Sequence, residues 1–348
     1  MKKILLLLVY LLFVFISFGK EIKIVSKLIL NITDFDKKSS GKIINLEYPA
    51  RIVEGYNEEI MVLNDTFFEV FNNKGNYLKK VGNRGQGPGD FVAYIKDVIK
   101  YNSNYYFQDY PNKISVFDKK FVFVKSFFLG GGKTSPFLYS FDFDDKYIYA
   151  AQYYAKVYNK SYDSVVKYDE GGRIVSHFFD RKNIMEIYKL PLSLPEGLIK
   201  IMNGRIIFSI SRYPVYWIFD KKGKLIRNKF FNFKWWRYPF YDKKEYEKEK
   251  KRIGERAFTK VLFSGTIATN FTLYGDNLIV HIIRNPYDNP QHGFIMIDKN
   301  LNLIMDWTQV KGYQYSGASK NYIYFSKVLR YYNKKNRKEV EVLRCVIK

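Results

Sequence analysis

Six times along this chain a short run of aromatic and β-branched residues is followed by a second such run, which usually ends in an acidic or amide turn residue. The pairs are Ile60–Leu63 with Phe67–Phe71, Tyr105–Gln108 with Ile114–Phe117, Tyr147–Ala151 with Val165–Tyr168, Arg205–Ile210 with Val215–Phe219, Leu278–Ile283 with Phe294–Ile297, and Tyr322–Phe325 with Val340–Val346. The turn residues Asn72, Asp118, Asp169, Asp220 and Asp298 stand 46, 51, 51 and 78 residues apart. Runs such as Val215–Phe219 are apolar at every successive position, so a strand built from them must be covered on both faces.

A supersecondary unit of about 40–50 residues that cannot bury both faces alone is the blade of a β-propeller. The expected fold is therefore all-β, a six-bladed ring in which each blade packs between two neighbours. Asn72, Asp169 and Asp220 are each followed three residues later by Gly (Gly75, Gly172, Gly223), which suits a type I turn with the glycine in the left-handed position. Phe121 and Leu301 stand where that glycine is expected. There either a shorter loop is anticipated, or Lys120 and Asn300 take the positive φ. The last blade lacks a strand after Val340–Val346, and Ile22–Val25 or Ile43–Leu46, within residues 20–50, is expected to supply it. That closure would hide the edges that otherwise aggregate.

The 78-residue spacing holds an insertion over residues 233–260. It opens with Trp235, Trp236, Tyr238, Phe240 and Tyr241 and continues through Asp242 and Glu245, which resemble a capping box. Tyr246, Ile253, Ala257 and Phe258 follow at helical spacing, so one short amphipathic helix is expected there, as a lid or as a decoration of the rim.

Lys2 and Lys3, the apolar stretch Ile4–Phe18, and the small residues Ser17 and Gly19 form the three-part pattern of a secretory signal peptide cut after Gly19. The apolar stretch is shorter than the ~20 residues of a spanning helix. The expected location is extracytoplasmic, periplasmic or secreted, with no stable membrane insertion after cleavage. No cysteine stands near the junction for a lipoprotein anchor, and the single Cys345 has no disulfide partner. The formal net charge of +24 raises nucleic acid or an anionic surface as partners. The lysines are spread along the chain, however, and the densest cluster, Lys243–Arg252, is interleaved with Glu245, Glu247 and Glu249 as on a solvated helix face. Nucleic acid is not an expected partner.

The stretch Tyr105–Asp118 resembles an NHL-type propeller repeat: a strand ending in Asp109, a turn containing Asn112, and an Ile-x-Val-Phe-Asp strand at Ile114–Asp118. The Gly-rich segment from Gly82 to Phe91 is similar to the joint between blades in exported six-bladed propellers of environmental and gut bacteria, with Asp90 where Glu is usual. The resemblance implies an NHL or TolB-like propeller of six blades outside the cytoplasm, and for most relatives no known reaction.

The same Gly-rich segment lacks the Gly-Lys-Ser/Thr of a phosphate loop, and Pro88 removes an amide, so it reads as a structural joint. Arg84 and Asp90 are nonetheless candidates for a channel mouth. Some six-bladed relatives hold zinc on three histidines, and this chain has His177, His281 and His292. Of these, His281 is placed on an inner strand, His177 on an outer strand and His292 in a loop, so three zinc ligands are not expected to converge. Asp109, Asn203 and Asn270 are possible contributors to a calcium site. No Gly-x-Ser-x-Gly elbow is present and Cys345 has no nearby His. Most tyrosines and phenylalanines fall in the repeat strands and are expected in the core. The reading that results is an exported, monomeric, non-catalytic module without a cofactor, binding a peptide, glycan or envelope protein. Its candidate contacts are Arg84, Asp90, Asp109, His281, Trp235 and Trp236. The alternative is a metal-dependent hydrolase or lyase with zinc or calcium in the channel.

Overall fold

Strands that are apolar on both faces need a neighbour on each side, and the chain provides it with six four-stranded antiparallel sheets arranged as a ring. The structure is a computed structural model that describes residues 20–32, 51–64, 66–109, 111–130, 137–153, 163–180, 197–237, 247–248, 250–252, 265–284, 290–332 and 337–348. After β1 (Ile22–Ile32), the first blade comprises β2 (Arg51–Glu54), β3 (Ile60–Leu63), β4 (Phe68–Phe71) and β5 (Tyr77–Val81). The second comprises β6 (Ile95–Tyr101), β7 (Asn104–Asp109), β8 (Lys113–Asp118) and β9 (Phe123–Phe128). The third comprises β10 (Phe137–Phe143), β11 (Ile148–Tyr153), β12 (Asp163–Tyr168) and β13 (Ile174–Asp180). The fourth comprises β14 (Gly197–Met202), β15 (Arg205–Ile210), β16 (Val215–Phe219) and β17 (Leu225–Phe230), and the fifth β18 (Ile267–Tyr274), β19 (Asn277–Arg284), β20 (Gln291–Ile297) and β21 (Leu303–Thr308). The sixth comprises β22 (Gln314–Ala318), β23 (Ile323–Tyr332) and β24 (Arg337–Ile347), with β1 paired to β24 as its fourth strand.

The paired runs of the sequence are the second and third strands of every blade, the pair buried most completely. All residues of β3, β4 and β16 are buried, whereas β17 is almost wholly exposed. Alternation divides each middle strand between two seams. Tyr216 and Ile218 pack with Phe271, Val280 and Ile295 of the fifth blade, while Val215, Trp217 and Phe219 pack with Tyr149 and Val165 of the third. Six such clusters fill the six seams, and the closing one joins Leu30, Tyr324, Val340 and Val342 to Ile52, Ile60, Val62 and Phe71.

β1 occupies the edge that β24 would otherwise expose, pairing from Ile22 opposite Ile347 to Ile32 opposite Lys338 with one register shift between Ile24 and Ser26. Residues 43–46 lie outside the described residues, as do the expected capping box and most of the insertion. Of the insertion's helix, residues 247–248 and 250–252 are described, and they are helical and exposed.

The turns between third and fourth strands share one construction. An Asx Oδ1 accepts the amides two and four residues on: Asn72 from Lys74 and Asn76, Asp118 from Lys120 and Val122, Asp169 from Gly171 and Arg173, Asp220 from Lys222 and Lys224, and Asp298 from Asn300 and Asn302. Gly75, Gly172 and Gly223 take the positive φ. Contrary to the sequence expectation, neither a shorter loop nor Lys120 and Asn300 solves the other two. Phe121 and Leu301 themselves adopt φ of 65° and 59°. Both side chains are buried in blade seams, and that apolar burial offsets a backbone cost of about 1–2 kcal/mol.

Two outcomes are expected. Removing residues 20–32 uncovers β24 and the closing seam, so the truncated protein should aggregate, and Leu30→Ala should lower stability by about 2–5 kcal/mol in denaturant unfolding. A soluble monomeric truncation that melts cooperatively would contradict the closure. Leu301→Gly relieves the backbone but empties a buried site, for a net loss of about 1–3 kcal/mol; a gain would show that the backbone term dominates.

Candidate functional site: the central channel

The first strand of each blade faces the ring axis, because the central cavity is lined from β2, β6, β10, β14, β18 and β22 and from the residues just after β22. Its volume is about 350 Å³. Charged groups on its wall are tied across blade boundaries. The Arg51 guanidinium donates to the Asp97 carboxylate and to the Lys96 carbonyl, joining first and second blades. Lys200 Nζ lies 3.1 Å from Asp142 Oδ2, which also accepts the Ile201 amide at 2.7 Å, joining third and fourth. Glu54 is buried and accepts from Ser319 Oγ at 2.8 Å and from the Tyr324 hydroxyl, joining sixth and first. Burial, reinforced by Glu54, pushes the Tyr324 phenol far above its ordinary range.

Lys100 stands at the end of the cavity that carries the turns between first and second strands. Its Nζ donates to the Gly55 carbonyl at 3.2 Å and sits 5.5 Å from the centre of the Tyr56 ring. Burial holds this ammonium below the usual lysine range, against the pull of Glu54 and Glu59. Lys320, Asn270 and Thr272 complete the polar wall beside the apolar Val53, Ile99 and Phe143. Asp97, Asn270 and Gly317 each follow a register shift in their strand, and such bulges re-aim side chains.

Of the sequence candidates, Asn270 lines this cavity, with its Oδ1 accepting the Phe271 amide at 2.8 Å. Arg84, Asp90, Asp109, His281, Trp235 and Trp236 do not. Asp109 is fully buried and accepts the Val92 amide at 2.6 Å and the Ala93 amide at 3.2 Å, pinning the Gly-rich joint to β7. Lys113 Nζ holds the same joint through the Asp90 carbonyl at 2.9 Å. Asp90 accepts the Gly87 amide, and a Cβ on Gly85 would collide with its carboxylate, so these glycines make room for an internal turn. Arg84 is exposed on the joint.

Trp236 is buried in the seam between fourth and fifth blades and donates to the Arg212 carbonyl at 3.2 Å. Trp235 is half-buried beside it, donates to Asp306 at 2.8 Å, and lies 5.5 Å from the Trp307 ring. Asn203 takes a positive φ in the turn between β14 and β15.

His281 belongs to the second strand of its blade, not to the inner one, because the apolar run that contains it is a middle strand. His292 lies on β20, not in a loop, and His177 is exposed on β13. His281 Nε2 is 3.2 Å from His292 Nδ1, while Thr269 Oγ1 is 2.8 Å from His281 Nδ1. The His281 ring stands 4.8 Å from that of Tyr315 across the blade seam. Burial, then His292 and Arg51, hold His281 well below the usual imidazole range, and burial pulls His292 down to about 4. Among the described residues no three His, Cys, Asp or Glu side chains converge on a possible metal. Cys345 is buried, and burial pushes its thiol up to about 11.

No protein-family profile matches the chain, and no curated protein is similar to it in sequence. Solved structures are similar in fold. A Bacteroides fragilis protein classed as exported superposes with a TM-score of 0.58 at 12% identity, over 94% of this chain and 95% of that one. A catalytically inactive virginiamycin B lyase from Staphylococcus aureus, solved with quinupristin, gives 0.47 at 12% identity, over 93% and 99%. The extracellular domain of a B. thetaiotaomicron hybrid two-component system gives 0.45 at 10%, over 87% of this chain and 35% of that one. At these identities the likeness concerns the fold, and the two scores below 0.5 carry nothing further. Among the described residues no helix is long and apolar enough to cross a membrane. The chain is a six-bladed β-propeller.

The two histidines make stability depend on pH. Their folded-state values lie below the ordinary 6.5, so their contribution is fully present above pH 6.5 and is lost as pH falls toward the folded values, about 4 for His292. Melting temperature should therefore decline between pH 6.5 and 4. His281→Asn/His292→Gln protein should show a flatter limb over that window; an identical decline would exclude these groups as its source.

Proposed function

We propose that this protein is an exported, non-catalytic binding module that takes part of a peptide, glycan or envelope-protein partner into the central channel. The cavity is the observation that carries this reading. Its wall combines apolar surface with charges already fixed by cross-blade partners, which is the preorganised mixture that ligand pockets use. A volume of about 350 Å³ accommodates a side chain or a single sugar ring rather than a folded domain. Arg84 on the joint, and the half-buried Trp235, are further surfaces for the remainder of a larger partner at the opposite end of the ring. The proposed kinship with NHL-type propellers rests on Tyr105–Asp118, and export rests on Lys2, Lys3 and the Ile4–Phe18 stretch. Fold by itself decides nothing here, because propellers host both binding and catalysis.

The test uses a library of short peptides and cell-wall glycans screened against the purified protein by thermal shift. Thr272→Trp plugs the cavity without touching an ion pair and should weaken any hit at least 10-fold, with cooperative melting of the unliganded variant checking that the ring is intact. Hits unaffected by the plug would remove the channel from the proposal. Stoichiometric zinc or calcium surviving dialysis, together with turnover of a hit, would replace it with the metal-dependent alternative.

A further inference from the structure

The closing seam contains a buried cation that the protein leaves unanswered. Arg344 on β24 is only 8% exposed, yet its Nε and Nη2 groups are buried with no hydrogen-bond acceptor. The guanidinium lies against the aromatic faces of Tyr322 and Tyr324, 5.1 and 6.0 Å from its carbon to the ring centres. Cation–π contact supports one face of a guanidinium but satisfies none of its in-plane N–H groups.

The acids in the neighbourhood are engaged elsewhere. Glu341 and Glu339 alternate with Arg344 along β24, so they face the opposite side of the sheet, and Glu341 there binds Lys27 and the Tyr313 hydroxyl. Glu54 is committed to Ser319 and Tyr324. Directly across from Arg344, on the N-terminal strand, stands Ser26, whose hydroxyl is also buried without a partner. Residues opposite one another on antiparallel strands share a face at ~5 Å. Two unsatisfied polar groups, one a fixed positive fork and the other a hydroxyl donor, therefore adjoin where the two ends of the chain meet.

Leaving a guanidinium unpaired in the interior is far more costly than leaving out a neutral polar group. A planar donor fork plus a hydroxyl is the donor set that matches an oxyanion. The geometry points to a small-oxyanion site at Arg344 and Ser26, taking an inorganic phosphate or a carboxylate and clamping β1 to β24. The site is separate from the channel, and the strongly basic chain draws anions toward it. Because the anion binds only the closed ring, its occupancy stabilises closure by mass action.

Melting curves of the full chain at constant ionic strength, titrated separately with inorganic phosphate and with acetate, test the site. The wild-type melting temperature should rise saturably by a few degrees. Arg344→Met, of similar length and without charge, should lose the response, and Ser26→Ala should weaken it about 2- to 10-fold. A response to phosphate alone identifies a phosphoryl group as the occupant, and a matching response to acetate identifies a carboxylate. Equal responses in wild-type and Arg344→Met protein, or no saturable response to either anion, would overturn the site. If Arg344→Met does not fold, calorimetric titration of phosphate and acetate into wild-type and Ser26→Ala protein decides between the same outcomes.

Discussion

Every other feature of this molecule depends on the way the middle strands of each blade are shared between two neighbours. Tyr216 and Ile218 belong to one seam and Val215, Trp217 and Phe219 to the other, so no blade is stable without both flanking blades. A linear stack of such units would always end on two uncovered apolar faces. Closing the ring removes both at once, which makes closure the condition on which the other five seams rest. The sixth seam is the one in which strands from opposite ends of the chain lie side by side, and it is also where Arg344 and Glu54 are buried.

Polar links add what apolar seams alone do not specify. Contact between apolar surfaces sets the spacing of the blades but tolerates sliding along the strand. Arg51 with Asp97, Asp142 with Lys200 and Ile201, and Glu54 with Ser319 and Tyr324 tie neighbouring blades at defined heights. The channel wall is thus both the register device of the ring and its ligand-sized space. Leu301 and Phe121 show the converse hierarchy, in which burial of a side chain overrides the backbone preference of a turn.

The middle strands were legible in the sequence because burial on both faces leaves uninterrupted apolar runs, and the Asx residues that close them recur at fixed offsets. The inner strands were not. Ile95–Tyr101 reads Ile-Lys-Asp-Val-Ile-Lys-Tyr, half of it polar because one edge looks into the channel, and a bulge shifts its phase. A search keyed to apolar runs therefore passes over Arg51, Asp97, Lys100 and Lys200 and selects His281, which sits one strand further out. Asp109 looked functional because it is an acid in a repeat motif; its work is to hold the amides of Val92 and Ala93. Of the amides and acids considered for a calcium site, Asn270 is the one that lines the channel.

By itself the sequence determined the all-β class, the number of blades and the position of their turns, because those follow from local periodicity and turn chemistry that each segment carries alone. Tertiary structure decided which strand faces the axis, which charges meet across blade boundaries, and that Ile22–Ile32 rather than another N-terminal segment lies against β24. Those outcomes depend on contacts between residues hundreds of positions apart, such as Glu54 with Tyr324 and Ile22 with Ile347, for which no local pattern exists.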